Sequence, residues 1–116
     1  MMQAEADLRG LGRAINLSRL SVESGDYAFG SLIVSAAGEV LSEAMQTVAT
    51  HGDPLGHAEM NALRHLFPRY TRERLAGATI YSSAEPCPMC TGAIAWPGEA
   101  GLRVEPGFDV RAVFRR

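Results

Sequence analysis

The sequence predicts a three-layer α/β/α domain with a mixed sheet of about five strands, and it predicts that residues 1–116 form a single domain. The first observation is size, because 116 residues suffice for one hydrophobic core. The second is composition, since 47% hydrophobic and 21% charged residues are ordinary for a globular domain. The third is the order of the periodic segments, α-β-β-α-β-α-β-β, which places helices over a mixed sheet.

The first part of the chain is predicted to form one helix and a β-hairpin. Residues 4–24 carry apolar side chains at helical spacing, and Gly25 follows them. Residues 27–34 are a nearly continuous apolar segment typical of a strand, and residues 40–48 are predicted to form a second strand after a turn at 36–39. Because the turn is short, we expect these two strands to pair antiparallel.

The middle of the chain alternates helix and strand. A loop at 51–56 precedes a helix that is predicted to begin at about His57 and to end at Pro68. Residues 78–83 contain the β-branched and aromatic residues of a strand. A further helix is predicted over 88–96, because proline is well tolerated in the first turn of a helix.

The end of the chain is predicted to contain two short strands, residues 102–105 and 110–114. Only about four residues connect them. Parallel neighbours need a crossover of a dozen or more residues, so two strands of one sheet joined this closely must be antiparallel. We therefore expect the last strand to run antiparallel to the strand before it.

Potential metal ligands are concentrated in two short motifs. His57-Ala58-Glu59 is followed about thirty residues later by Cys87 and Cys90, within the sequence Pro-Cys-Pro-Met-Cys. One imidazole and two thiolates are good zinc ligands, and a catalytic zinc site keeps its fourth position open. We therefore predict one Zn²⁺ per chain bound by His57, Cys87 and Cys90, with Glu59 as the catalytic proton carrier.

Helix geometry indicates how these side chains can meet. Residues two apart on a helix point in different directions, so His57 must lie at the mouth of its helix and Glu59 in the first turn. Cys87 and Cys90 are three apart and share one face at the start of the next helix. The positive ends of both helices would then face the metal and favour the thiolate form of the cysteines.

Two other interpretations of the cysteines stay open from the residues alone. A structural zinc site would need a fourth protein ligand, and because there is no third cysteine, His51 and His65 are the candidates. A redox-active Cys-x-x-Cys pair is the other possibility. A disulfide-stabilised secreted domain would normally contain more cysteines at wider spacing.

The two motifs resemble those of the cytidine/deoxycytidylate deaminase superfamily, and the resemblance covers roughly residues 5–104. It is carried by residues 27–30, 52–64 and 80–96, which include the His-x-Glu and Pro-Cys-x-x-Cys signature of zinc-dependent base deaminases. Within the superfamily the chain is most similar to bacterial guanine deaminases and their nucleoside-deaminase relatives. The resemblance implies a cytidine deaminase-like fold and the hydrolytic, ammonia-releasing deamination of a guanine- or cytosine-type base or nucleoside.

The resemblance also implies which residues contact the substrate. They are Phe29 in a Phe-Gly motif, Gln46, the backbone of Ala58, and Ser83, with Trp96 near the pocket or a dimer contact. Relatives usually carry asparagine where this chain has Gln46, which leaves the identity of the base open. Relatives of this subgroup also continue past the fourth strand with further elements, so the C-terminal part is expected to be short or divergent.

Charge and hydropathy restrict the expected partners. The net charge of −2 gives no basic surface for nucleic acid, and the apolar runs are too short to span a bilayer. No secretory signal is visible, so we expect a cytoplasmic protein with no membrane or nucleic-acid partner. We expect a small-molecule base or nucleoside as substrate and a homo-oligomer, a dimer, that completes the pocket. A tRNA adenosine deaminase and an inactive, zinc-holding binding module are the alternatives.

Overall fold

The computed structural model describes residues 2–66, 69, 70, 75, 77–95 and 111–114. Eight helices and strands lie within these residues. In chain order they are α1 (Met2–Glu23), β1 (Gly30–Val34), β2 (Val40–Met45), α2 (Val48–His51), α3 (Ala58–Leu66), β3 (Thr79–Ser82), α4 (Pro88–Ala95) and β4 (Arg111–Phe114). None of the described helices is long and apolar enough to cross a membrane.

The strands form one mixed sheet, as the sequence predicts. The described strands lie in the order β2-β1-β3-β4. β1 pairs antiparallel with β2 and with β3, whereas β3 and β4 are parallel. The sheet therefore has four strands within the described residues, where about five are expected for the whole chain.

The C-terminal hairpin stays a prediction, because its first predicted strand, residues 102–105, lies outside the described residues. Trp96 also lies outside them. The described residues do show which strand pairs with β3 on the edge opposite to β1. It is Arg111–Phe114, with Ile80 opposite Ala112 and Ser82 opposite Phe114. Because these two strands are parallel, the chain between them makes a crossover that includes α4.

Helices cover both faces of the sheet, and each face has its own hydrophobic cluster. On one face, α1 packs Ala14 and Leu17 against Leu32 and Tyr81. On the other face, α3 and α4 pack against a larger cluster that contains Ile33. Neighbouring residues of β1 thus point to opposite faces, as expected for a strand buried on both sides. This arrangement confirms the α/β class and the three layers.

The first strand is shorter than predicted, because Tyr27 and Phe29 belong to a turn. The Phe29 N–H donates to the Tyr27 carbonyl at 2.8 Å, and the hydroxyl of Ser21 on α1 donates to the same carbonyl at 2.6 Å. Both aromatic rings are exposed, so their apolar character does not mark a buried strand here. The sheet begins only at Gly30.

The second strand ends at Met45, and the prediction that it reaches residue 48 is wrong. Val48–His51 forms the short helix α2. A buried carboxylate stabilises its first turn, since Asp26 accepts hydrogen bonds from the backbone N–H groups of Ala49 and Thr50 at 3.0 and 2.8 Å. These donors have no partner within their own helix, and a carboxylate at this end is favoured by the helix dipole.

Gly30 permits the close approach of β1 to α1. A Cβ built on Gly30 would lie 2.5 Å from the Cβ of Leu17 and 2.6 Å from the Ala14 carbonyl oxygen, and the backbone cannot yield to such contacts cheaply. We expect Gly30→Ala to destabilise the fold by about 1–3 kcal/mol or more, which chemical denaturation measures. Gly12→Ala is the control, because a Cβ on Gly12 has nothing within 4 Å. Equal stability of the two variants would contradict this account.

Candidate active site

The first ligand of the predicted metal site lies just before α3. His57 precedes Ala58, the first residue of the helix, which is the position that helix geometry requires. The loop before His57 is held to the end of β2, because the Thr47 N–H donates to the Gly56 carbonyl at 2.7 Å. The backbone of His57 is also fixed, since its N–H donates to Leu55 and its carbonyl accepts from Asn61, each at 2.9 Å.

Asn61 is a positioning residue that was not predicted from the sequence. Its side chain is buried, and its amide nitrogen donates to the Met45 carbonyl and the Thr47 hydroxyl, both at 2.9 Å, and to the Gly56 carbonyl at 3.2 Å. One side chain on α3 thus ties the end of β2 to the loop that carries His57. A polar residue on the buried side of a predicted helix was the available sequence signal for this role. The sequence does not indicate its hydrogen-bond partners, because they lie on other segments of the chain.

The two cysteines lie at the start of α4. Cys87 directly precedes Pro88, the first residue of the helix, and its sulfur accepts the backbone N–H of Cys90 at 3.4 Å. Cys87 therefore caps the helix as serine or asparagine often does. Both cysteines are free thiols, so the structure does not support a disulfide between them.

The imidazole and the two sulfurs converge on one point. His57 Nδ1 lies 3.4 Å from the Cys87 sulfur and 3.5 Å from the Cys90 sulfur. All three ligand atoms lie within 4.8 Å of one another. In a tetrahedral zinc site, bond lengths of about 2.0–2.1 Å to nitrogen and 2.3 Å to sulfur place the ligand atoms about 3.6 Å apart. The observed spacing therefore fits a zinc ion.

The chemistry of Cys90 also fits a cation. The residue is fully buried, and burial, followed by the charge of Glu59, raises the pKa of its thiol well above the usual range. A thiolate at this position therefore needs a positive charge beside it. Among the described residues, neither His51 nor His65 joins the cluster, so the structure does not support either histidine as a fourth ligand.

Glu59 lies in the first turn of α3, next to the cluster. Its side chain is 7% exposed, and burial raises the pKa of the carboxyl group, while contact with the Cys90 thiol partly opposes this increase. Glu59 lines a cavity of about 160 Å³ that also reaches His57 and Cys87. The carboxyl group of Glu59 and two members of the His57, Cys87 and Cys90 cluster thus share one small pocket.

The predicted substrate contacts divide into two groups. Phe29 and Gln46 line the cavity. Ala58 and Ser83 are buried and are not among the described residues that line the cavity. The Ser83 hydroxyl accepts a hydrogen bond from the Gly30 N–H at 3.0 Å, which links the end of β3 to the start of β1. Contact between any of these four residues and a substrate stays a prediction.

Two further residues, Ala84 and Glu85, complete the described lining of the cavity. Both lie within residues 80–96, which carry the resemblance, but neither was predicted to have a role in the site. Their position immediately before Pro86-Cys87 was the available signal, because a residue next to a metal ligand cannot lie far from the metal. The exposed carboxylate of Glu85 gives the pocket a second acidic group at its rim.

Comparison with known proteins agrees with this site. A family model described as the cytidine and deoxycytidylate deaminase zinc-binding region matches residues 4–102. A guanine deaminase of Bacillus subtilis is 39% identical over 114 residues, which cover 90% of this chain and 72% of the relative. A probable cytosine deaminase of Schizosaccharomyces pombe is 39% identical over 95 residues, or 82% of this chain and 57% of the relative.

A tRNA-specific adenosine deaminase of Haemophilus influenzae is 31% identical over 93 residues, or 80% of this chain and 54% of the relative. A solved structure of a guanine deaminase from Bacillus subtilis superposes with a TM-score of 0.70 at 34% identity, over 91% of this chain and 60% of that one. The chain thus spans a little over half to about three quarters of the length of these relatives. It belongs to the cytidine and deoxycytidylate deaminase family, a family of zinc-binding hydrolases that act on C–N bonds.

Proposed function

We propose that this chain is a zinc-dependent hydrolytic deaminase of a guanine- or cytosine-type nucleobase or nucleoside, and that it works as a homo-oligomer. The observation that carries the proposal is the position of Glu59. Its buried carboxyl group shares a cavity of about 160 Å³ with His57 and Cys87 and contacts the third member of the cluster, Cys90. A binding module would not need a proton carrier at this place.

His57, Cys87 and Cys90 would hold the zinc ion, and Glu59 is the acid–base group. Zinc, when bound at such a site, supplies Lewis acidity that makes water a nucleophile near neutral pH. The hydrogen bonds around Gly56 hold the backbone at His57, and the N–H of Cys90 holds the Cys87 sulfur. These contacts help to orient two of the three ligands.

Glu59 moves protons during the reaction. A carboxylate oxygen accepts a proton from the attacking water, and the resulting carboxyl group donates it to the ring nitrogen next to the reacting carbon. A C–O bond forms at that carbon. Glu59 then takes the remaining proton from the new hydroxyl group and delivers it to the exocyclic amine, the C–N bond breaks, ammonia leaves, and a carbonyl group stays on the ring. Burial favours the protonated carboxyl group, which suits a residue that must hold a proton between two steps.

The remaining lining residues would hold the ring. The cavity of about 160 Å³ is well below the roughly 300–1,000 Å³ of pockets for drug-sized ligands, so it suits a small planar ring. The exposed ring of Phe29 offers an apolar contact, and the amide of Gln46 can both donate and accept hydrogen bonds. We assign Gln46 to recognition of the ring edge, with one methylene more than the asparagine that is usual in relatives.

A screen for ammonia release tests this proposal. Protein loaded with one zinc per chain is offered free bases, nucleosides, nucleotides and tRNA. We expect ammonia from guanine- or cytosine-type bases or nucleosides. Release from tRNA alone would favour the adenosine deaminase reading that one relative suggests. Tight zinc binding with no ammonia from any substrate would overturn the proposal and favour the inactive binding module.

A further inference from the structure

One buried carboxylate joins two segments of the chain that are distant in sequence. Asp26, between α1 and β1, is only 8% exposed. One of its oxygens accepts the N–H of Tyr27 at 2.8 Å. The other accepts the N–H groups of Ala49 and Thr50 at 3.0 and 2.8 Å and the Thr50 hydroxyl at 2.9 Å. We call these four hydrogen bonds the Asp26 bridge, because they hold the turn before β1 against α2.

The Asp26 bridge depends on a carboxylate with two acceptor oxygens. Burial raises the pKa of the Asp26 carboxyl group, but the hydrogen bonds from Thr50, Tyr27 and Ala49 together outweigh burial, so the net effect lowers the pKa. The carboxyl group is therefore ionised at neutral pH, and hydrogen bonds to an ionised acceptor are stronger than those to a neutral one. An asparagine has only one acceptor oxygen, so it could hold one of the two segments but not both.

Each of the two segments carries a residue that lines the cavity. Phe29 lies three residues after Asp26, and Gln46 lies three residues before Ala49. The backbones of the two lining residues also meet, because the Gln46 N–H donates to the Phe29 carbonyl at 3.3 Å. This hydrogen bond is longer than the usual 2.7–3.2 Å, so we expect it to be weak without further support. The Asp26 bridge supplies that support from the other side of both segments.

We propose that Asp26 is a positioning residue for substrate recognition, because it fixes the distance between the side chain of Phe29 and the amide of Gln46. The inference rests on the proposed function, which assigns these two groups to contact with the substrate ring. A misplacement of about 1 Å that originates away from the reacting atoms can cost on the order of 10²-fold. Asp26 would thus set how well the pocket fits its ring without touching the ring itself.

The predicted zinc ligands are held by other contacts. Asn61 donates to the Gly56 carbonyl, next to His57, at 3.2 Å. The Cys87 sulfur accepts the N–H of Cys90 at 3.4 Å. Because the Asp26 bridge includes neither contact, its loss should affect recognition of the ring more than zinc binding or the chemical step. A change of this kind appears in KM, with kcat nearly unchanged.

The test compares Asp26→Asn with the matched control Asp7→Asn. Asp7 is also a hydrogen-bonded carboxylate, but it accepts from Tyr81 and Gln3, neither of which lines the cavity. Steady-state ammonia release is measured with guanine, cytosine and their nucleosides. We expect Asp26→Asn to raise KM about tenfold and to change kcat by less than about threefold, whereas Asp7→Asn should leave both constants unchanged. Elemental analysis should find the same zinc content in both variants.

A second measurement needs no turnover. Amide hydrogen exchange reports local opening, so the N–H groups of Phe29 and Gln46 should exchange at least about tenfold faster in Asp26→Asn than in the unchanged chain. The N–H of Asn61 is the internal reference, because it donates to the His57 carbonyl at 2.9 Å and is not part of the Asp26 bridge. It should keep its exchange rate, whereas general destabilisation would accelerate exchange at all three amides.

Thr50 allows a smaller change in the same bridge. Thr50→Val removes only the hydroxyl that donates to Asp26, which is one of the four hydrogen bonds, and should raise KM about two- to threefold. Thr50→Ser keeps the hydroxyl and should keep the original KM. These two variants also decide the question if Asp26→Asn does not fold.

The results distinguish this inference from the proposed function. Original exchange rates at Phe29 and Gln46 in Asp26→Asn would overturn the inference. An original KM, or a loss of zinc along with activity, would overturn it as well, because the role of Asp26 would then not lie in recognition. A chain that releases no ammonia from any substrate contradicts the proposed function instead. Hydrogen exchange would then still decide whether Asp26 positions the two lining residues.

Discussion

Glu59→Gln is expected to keep the zinc and the fold and to lose deaminase activity by on the order of 10²-fold or more, since general acid–base catalysis contributes this much. The amide has the shape of the carboxyl group and fills the same buried position in the first turn of α3. It cannot accept a proton from water or deliver one to a ring nitrogen or an amine. The loss should therefore appear in kcat, with a smaller change in KM.

The control for this variant lies in the same pocket. Glu85→Gln makes the same chemical change at an exposed residue on the rim of the cavity. We expect its kcat to change by less than about tenfold, because a rim residue affects binding more than the chemical step. Zinc content is measured by elemental analysis on both variants. Near-normal turnover of Glu59→Gln would eliminate Glu59 as the proton carrier.

His57→Ala is expected to lose zinc and stability together. The imidazole nitrogen lies 3.4 and 3.5 Å from the two sulfurs, so its removal leaves two ligands where zinc needs at least three from the protein. Because metal binding contributes to folding free energy, the Tm of the zinc-loaded protein should fall along with the metal content. Elemental analysis should give close to one zinc per chain before the substitution and close to none after it.

His65→Ala is the matched control, since His65 is exposed at the end of α3 and lies outside the cluster. It should retain its zinc and its Tm. If His65→Ala lost the metal as readily as His57→Ala, a fourth protein ligand would exist and the site would be structural. If His57→Ala retained one zinc per chain, the assignment of the ligands would be wrong.

The elements that the sequence predicts correctly are those with a strong local pattern. The helical spacing of the apolar residues of α1 and the proline that opens α4 predicted bounds within about two residues of Met2–Glu23 and Pro88–Ala95. The convergence of His57 with the two cysteines was also predictable. Cysteines three apart share one helix face whatever surrounds them, and a ligand just before a helix has a fixed direction.

The ends of the strands could not be predicted from local pattern, because distant groups decide them. Residues 46–48 contain the β-branched Thr47 and Val48, which are compatible with a longer β2. The carboxylate of Asp26 instead binds the N–H groups in the first turn of α2. Tyr27 and Phe29 look like strand residues, but a hydroxyl of α1 holds Tyr27 in a turn. Asp26 is 23 residues from Ala49, outside the window in which periodicity is visible, and Ser21 belongs to a different element from Tyr27.

By itself, the sequence determined the family, the mixed α/β class and the identity of the four residues that we assign to zinc and proton transfer. These properties depend on residue type and on spacing within one helix turn. Only the tertiary structure decided that Asn61 holds the loop before His57 and that Glu85 lines the cavity. These depend on which segments meet after folding, and contacts between residues far apart in sequence leave no periodic signal.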